Sequence, residues 1–364
     1  MEGENRVIKV GYVTPDDREE WNRMLLNVAE VRLCHVYDWY EIFPKVYNYK
    51  PIYLTVKEDG NLIGLFPSFI INSKLFGNRL ISMPFTSYGG PVFSEYSERT
   101  NEKLLSTIVS IVKSNNLEYV EIRSPSDQHR KEIKKSNFIE NTNYNYCTFL
   151  VDLRQDYRNI LMGLRKSTRR GIRIAEKRGV SIEECQKESD LHIFYNLYLA
   201  TMRKHGTPPH RFEFFKEVWN HFYPGNLKIF FAIFKDKIIS TMLFFILNKR
   251  IHYAYGASVE EKEYLRLCPN DLLIWHAIKF GEARDLAFLD LGRTRPGSGV
   301  YFFKLGWGGR KVPLTYFCKL TNVKSLPYID PDAPKFKFFR RIWKRLPSSV
   351  ATRLGPEIMG GTGG

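Results

Sequence analysis

The sequence predicts an α/β chain built from two copies of one unit, each a mixed β-sheet flanked by helices. Three observations carry that prediction. Residues 52–71, IYLTVKEDGNLIGLFPSFII, read as two β-rich runs joined by the hairpin turn Glu58-Asp59-Gly60-Asn61. Residues 228–247, KIFFAIFKDKIISTMLFFIL, repeat that form with Lys235-Asp236-Lys237 at the turn. Behind each hairpin an apolar-periodic helix runs into a strand, residues 101–117 before 117–122 and residues 270–285 before 286–291. The expected units are residues 1–150 and 151–322, with residues 323–364 a linker and a basic amphipathic tail.

Composition bounds the function. Hydrophobic residues are 43% of the 364, enough for two cores, which excludes a disordered chain. The formal charge of +16 favours an anionic partner such as nucleic acid, a phosphorylated substrate or an acidic membrane face. Cys34, Cys147, Cys185, Cys268 and Cys318 are odd in number and far apart, with no CxxC or Cys/His cluster, so reduced core thiols are expected rather than disulfides or a zinc site. No metal is expected. The opening MEGENRVIKVGYV has neither a leader's basic and apolar regions nor a span's length, so a cytoplasmic location is expected.

Residues 156–178 are read as one basic helix opening the second unit. Leu161, Leu164, Thr168, Ile172 and Ala175 fall on one face, while Arg165, Lys166, Arg169, Arg170, Arg173, Lys177 and Arg178 crowd the rest. Asp156 is the expected N-cap and Gly179 the stop. Only Glu176 offsets the cations, which favours phosphate recognition over a merely solvated face. Pro327, Pro331 and Pro334 break the chain after residue 322. The tail KFKFFRRIWKRLP can place Phe336, Phe339, Ile342 or Trp343, and Leu346 on one helical face among cations. It suits equally a helix lying on an anionic membrane through residues 335–346, on the inner face, and a helix packed on the body. The final GGTGG reads as a frayed end.

No phosphate-cradling loop and no Gly-x-Ser-x-Gly is present, so the chemistry rests on scattered positions. Strand 286–291 ends in Asp290-Leu291-Gly292-Arg293, an acid and a base where a strand gives way to a loop. Lys304 follows between Phe303 and Leu305, with Trp307 beyond; such a lysine stabilises an oxyanion, holds a phosphate or carboxylate, or simply snorkels at an edge. Arg310 and Lys311 extend the basic surface. In the first unit Tyr88, Gly89 and Gly90 lie in a loop that either lines a groove or only turns the chain. His35, one helical turn from Trp39, is read as packed, and His205, His210 and His221 form no ligand pattern.

The basic helix RRGIRIAEKRGV, the run Tyr255-Gly256-Ala257-Ser258, the helix Asn270-Asp271-Leu272-Leu273-Ile274-Trp275, and Phe303-Lys304 followed by Gly306-Trp307-Gly308 together resemble the FemAB-like branch of the GNAT superfamily over residues 7–320. Gly64-Leu65-Phe66-Pro67 and Tyr88-Gly89-Gly90-Pro91 look closest to the proteins of that branch associated with exopolysaccharide and protein-sorting clusters. The resemblance implies two tandem GNAT-like domains with a cleft between them and an N-acyltransferase transferring an aminoacyl or acyl group to an amine on a cell-envelope precursor or surface glycan. It implies no tightly bound cofactor, with aminoacyl-tRNA or acyl-CoA as donor and a phosphorylated or lipid-linked acceptor. Lys304 would stabilise the oxyanion or the leaving group, and Asp290 and Arg293 would orient groups beside it. Arg165, Arg169, Arg170 and Arg173 would hold phosphates, with Tyr88, Gly89, Gly90, Tyr255, Phe303 and Arg310 around the substrate. The loop before the helix at Asn270 departs from the pattern of acetyl-CoA users, since Glu263–Pro269 lacks their glycines. An acetyl-CoA-dependent N-acetyltransferase of an amino sugar and a non-catalytic RNA- or membrane-binding protein on the same fold stay open.

Overall fold

Both hairpin turns form where the sequence places them. Asp59 and Gly60 take φ of 48° and 88°, and Lys235 and Asp236 take 48° and 62°, the left-handed pairs that close two-residue hairpins with the twist of the flanking strands. The computed structural model describes residues 6–28, 30–124, 126–325 and 333–364; the expected linker prolines Pro327 and Pro331 and the side chains of Lys335 and Phe336 lie outside the described residues.

The chain divides into two units. One comprises Met1–Asn145, Leu314–Ile329 and Gly360–Gly364; the other comprises Tyr146–Pro313 and Asp330–Met359. The first carries a four-stranded sheet, in the order Ile8–Tyr12, Leu54–Glu58, Asn61–Phe66, Val92–Phe93. Its six-stranded sheet runs Lys50–Pro51, Phe69–Ile71, Arg79–Ile81, Tyr119–Arg123, Tyr316–Leu320, Ile139–Glu140. Helix Glu98–Ser114 starts at Ser97, whose hydroxyl accepts from the Thr100 amide at 3.1 Å. It buries Leu104, Leu105, Ile108, Ile111 and Val112 in a core with Val120, Ile122 and Phe317.

The second unit holds a seven-stranded sheet in the order Ser181–Glu184, Leu227–Phe234, Lys237–Leu247, Arg250–Ser258, Phe288–Asp290, Tyr146–Asp152, Arg310–Leu314. Helix Pro269–Glu282 is buried on most of its circumference, with Leu273, Ile274, Ala277 and Ile278 at 0% exposure, so it is a core helix and not an amphipathic cover. Helix Lys166–Lys177 packs on it through Thr168, Gly171, Ile172 and Ala175.

The structure differs from the sequence reading in five places. The expected boundary at 150 falls inside strand Tyr146–Asp152, which belongs wholly to the second unit. Strand Tyr316–Leu320, expected in the second unit, pairs with Tyr119–Arg123 and Ile139–Glu140 of the first. The single helix 156–178 is two, Tyr157–Gly163 and Lys166–Lys177, because Leu164 turns extended to bury its side chain and the Arg165 amide donates to the Gly306 carbonyl at 3.1 Å. His35 ends a short 3₁₀ turn, Leu33–His35, while Trp39 starts the next helix, so the two do not share one helix face.

The fifth difference is the GGTGG end, which is packed into the first unit. Helix Ser348–Thr362 leaves its last carbonyls without intrahelical partners, and the first unit supplies donors for them. The Arg79 guanidinium donates to the Gly361 and Thr362 carbonyls at 2.6 and 2.7 Å, the Phe85 amide to Gly363 at 2.9 Å and Arg123 to Gly364 at 3.0 Å. Gly363 has φ +65°, and a Cβ there would lie 2.6 Å from Ile71, so only glycine fits. Arg79 and Arg123 are both buried, and Arg123 is paired with buried Glu121 at 2.8 Å. Among the described residues no helix is long and apolar enough to cross a membrane.

Candidate functional site

Strands Arg250–Ser258 and Phe288–Asp290 run parallel only as far as the pairs Arg250 to Phe288, Ile251 to Leu289 and His252 to Asp290. Beyond Asp290 the chain turns at Gly292, whose φ of +75° and Cβ direction, 2.6 Å from the Tyr253 carbonyl, allow no side chain. The first strand continues from Tyr253 to Ser258 without that partner. The sheet therefore parts at this point, and the parting is filled by side chains.

Lys304 enters it from helix Gly299–Leu305, which Ser298 caps by accepting from the Tyr301 amide at 3.1 Å. The ammonium is 4% exposed and donates to the Gly292 and Arg293 carbonyls at 2.9 and 3.0 Å. A lysine has three donors, so two brace the loop and a third is left. The ring against the ammonium is Tyr253, at 5.4 Å, which comes from another strand; Phe303 and Trp307, its neighbours in sequence, pack edge to face in the core instead. Burial pulls the ammonium down to about 8, with the Asp290 carboxylate pulling the other way.

Asp290 is 1% exposed. It accepts from the Thr148 hydroxyl at 2.5 Å and from the Gly292 amide at 2.8 Å, and its second oxygen lies 3.5 Å from His252 Nδ1. It therefore fixes the turn through Thr148 and Gly292, while His252 Nδ1 lies near it without a hydrogen bond to it.

A bulge sorts the two tyrosines of the first strand. Leu243 pairs with Tyr255 and Phe244 with Tyr253, so Ala254 is the extra residue. Tyr253 then lies on the Lys304 side against Phe244, while Tyr255 faces the other way, into rings of helices Leu191–His205 and Phe212–Phe222. The Tyr255 hydroxyl meets His210 Nε2 at 3.1 Å; burial pushes that imidazole down to about 3, so the pair is neutral.

The remaining predicted residues are spread over both units. Arg165, Arg170 and Arg173 are exposed on or beside helix Lys166–Lys177, and Arg169 is half-buried with a bond to the Met162 carbonyl at 3.3 Å. The dry face of that helix touches the Lys304 helix, the Thr168 hydroxyl donating to the Gly306 carbonyl at 3.2 Å. Arg293 is half-buried over Tyr146 at 4.8 Å, and Arg310 is exposed on its strand. In the first unit Tyr88 is half-buried under Arg32 at 5.2 Å, and the Gly90 carbonyl lies 3.2 Å from His35 Nε2. Thus Asp290, Arg293 and Lys304 come to one place, Phe303 packs in the core beside it, and Tyr255, packed among the helix rings, stays within electrostatic range of Arg293.

Sequence reasoning missed His252, Tyr253, Thr148 and Asp271. The first three converge only through strand register, although His252-Tyr253 directly precedes the noticed Tyr255-Gly256 run. Asp271 sits in the first turn of helix Pro269–Glu282 against Gly171, whose Cβ would lie 2.6 Å from its Oδ2. Burial raises its carboxyl to about 6. Asn270 beside it accepts from Ser240 and Ser258 hydroxyls at 2.7 and 3.1 Å.

Residues 163–305 match the acetyltransferase (GNAT) domain family. The structure is similar to that of FemX, with a TM-score of 0.69 at 15% identity over 86% of this chain and 98% of that one. It is similar to the C-terminal domain of a putative lysylphosphatidylglycerol synthetase from Agrobacterium fabrum, with a TM-score of 0.58 at 11% identity over 83% and 91%. A tandem GNAT protein from the clavulanic acid biosynthesis pathway gives 0.56 at 8% identity over 88% and 100%. None of the curated proteins matches the sequence. The chain thus has a GNAT-type acyltransferase fold, similar to that of FemX and to that of a tandem GNAT protein.

Proposed function

We propose that the chain is an N-acyltransferase of FemAB-like type whose transfer step takes place where strands Arg250–Ser258 and Phe288–Asp290 part. The observation that carries this reading is the buried Lys304 ammonium at the parting, with two hydrogens fixed on backbone carbonyls. The acceptor amine attacks the carbonyl carbon of an activated acyl ester or thioester, forming a C–N bond and an oxyanion. The third Lys304 N–H faces that oxyanion. His252, beside Asp290, takes the proton the amine loses, and as the intermediate collapses it returns that proton to the departing alkoxide or thiolate, which leaves as the alcohol or thiol. Asp290 is a positioning residue in this scheme.

The donor we favour is an aminoacyl ester on tRNA, its phosphates met by Arg165, Arg169, Arg170 and Arg173. An acyl-CoA donor is disfavoured by the start of helix Pro269–Glu282. Proline supplies no amide there, the Asp271 amide is bonded to the Cys268 carbonyl at 3.1 Å, and the Asp271 carboxyl would repel a diphosphate. The lysylphosphatidylglycerol synthetase domain supports a lipid-linked acceptor, with Arg310 of the second unit contributing to its binding. Tyr255, held by His210 and within electrostatic range of Arg293, lines the wall of the site.

The test is thermal stabilisation by charged tRNA against acetyl-CoA, followed by transfer assayed with wild type and Lys304→Met. Stabilisation by charged tRNA alone, lost when Arg169 and Arg170 are neutralised, supports aminoacyl transfer. Stabilisation by acetyl-CoA alone moves the chain to the amino-sugar N-acetyltransferase reading. Binding without turnover, unchanged in Lys304→Met, leaves the non-catalytic reading.

A further inference from the structure

Helix Pro334–Trp343 and the residues after it hold two faces of different character. Trp343 is 2% exposed, stacks on Phe339 at 5.4 Å and seats the helix on the second unit. The seat is tight: a Cβ on Gly206 would lie 2.9 Å from the Arg340 carbonyl, and Arg211 pairs with Glu357 at 2.6 Å. Packing accounts for that side alone.

On the other side Phe338 and Ile342, one helical turn apart, are 63% and 46% exposed. Leu354, on the following helix, is 49% exposed. Lys337, Arg341, Lys344 and Arg345 flank the apolar pair and are exposed, and no carboxylate among the described residues pairs with them. The helix itself contains no acidic residue. A groove of about 630 Å³ opens behind it, where Arg203, Lys204 and Lys344 stand with Trp343 and Pro209, and with Glu260 as its acid.

We propose that this face docks on an anionic lipid bilayer, with Phe338 and Ile342 entering the boundary between headgroups and acyl chains. The four cations meet lipid phosphates, and the groove receives one headgroup. An exposed apolar pair inside a ring of unpaired cations matches the layered chemistry of an anionic membrane surface, apolar beneath and negative above. A nucleic acid would use the same cations but would give Ile342 nothing to bury against. Each cation contributes roughly fivefold in affinity. The proposal does not depend on the transfer chemistry, and its test reads no turnover.

The experiment is co-sedimentation of the full chain with phosphatidylcholine vesicles and with mixed phosphatidylcholine–phosphatidylglycerol vesicles, at low and moderate salt. The expected result is binding to the anionic vesicles only, weakened by salt and lowered at least tenfold in Phe338→Ser/Ile342→Ser with the melting temperature kept. Because Phe338 and Ile342 are exposed, that variant should fold; Lys337→Glu/Arg341→Glu provides a second one, expected to lose binding by a similar factor. Equal binding to neutral vesicles overturns the proposal, as does no binding at low salt. Undiminished binding by the apolar variant, or displacement from vesicles by single-stranded RNA at stoichiometric amounts, overturns it too.

Discussion

The first unit buries arginines and the second buries a lysine, and the two cations are held in opposite ways. Arg79 and Arg123 have a carboxylate, Glu121, and a helix end to bond, so their guanidinium groups are held by partners on several sides. Lys304 has only two carbonyls and a ring close by, with Asp290 acting at longer range, and it is pulled toward neutrality. A fully satisfied buried cation serves to fix structure. A buried cation with a donor left over, and a proton it can lose, is poised for chemistry.

Four experiments would break or sharpen that contrast. Arg123→Leu leaves Glu121 buried without its cation and should cost about 3–5 kcal/mol in urea unfolding; a loss below about 1 kcal/mol would show that the pair is not structural. Lys304→Met should lower the transfer rate by about 10²–10³ while the melting temperature holds or rises, because a buried charge is removed. Unchanged turnover would end the assignment.

Asp271→Asn should stabilise the chain by about 2–3 kcal/mol at pH 8 and by little near pH 4. Between its unfolded value and about 6 the folded state keeps a proton that the unfolded state has lost, so this group's contribution falls as pH rises and the penalty is complete above about 6. Melting curves at the two pH values read it directly. The smallest effect concerns the pH profile of transfer. If the ammonium is the active form, the rate declines about tenfold per unit above about 8, where Lys304 loses its proton, whereas stability from this group rises between about 8 and the unfolded value. Lys304→Arg should abolish the alkaline decline in whatever activity it keeps; a decline that persists belongs to another group.

The two hairpins were legible because their turns are chemically specific: Asp59-Gly60 accepts left-handed φ at little cost, and Lys235-Asp236 follows the same spacing. The dry face of the basic helix was legible from its period, but its break was not, since Leu164 fits the helical stripe whether the chain bends or runs straight. Strand 316–320 has the composition of any buried strand, and local pattern carries no sign of which sheet it joins. At the candidate site Lys304 and Asp290 could be named from their surroundings in sequence. Tyr253, His252 and Thr148 could not, because only the register of three strands and the bulge at Ala254 bring them there. The GGTGG end misled for a definite reason: glycine marks both a chain with no fixed conformation and a chain pressed against its neighbours.

The place of strand Tyr316–Leu320 sets an order of events during synthesis. It lies between Tyr119–Arg123 and Ile139–Glu140 in the first unit's sheet, yet the ribosome makes it only after the whole of residues 146–313. At roughly 5–20 residues per second the interval is on the order of ten to thirty seconds. Throughout it Tyr119–Arg123, destined for the middle of a sheet, emerges with one edge open, a vacancy that a chaperone or a neighbouring nascent chain can reach. The second unit has no such wait for its sheet, since all seven strands are made in one uninterrupted stretch.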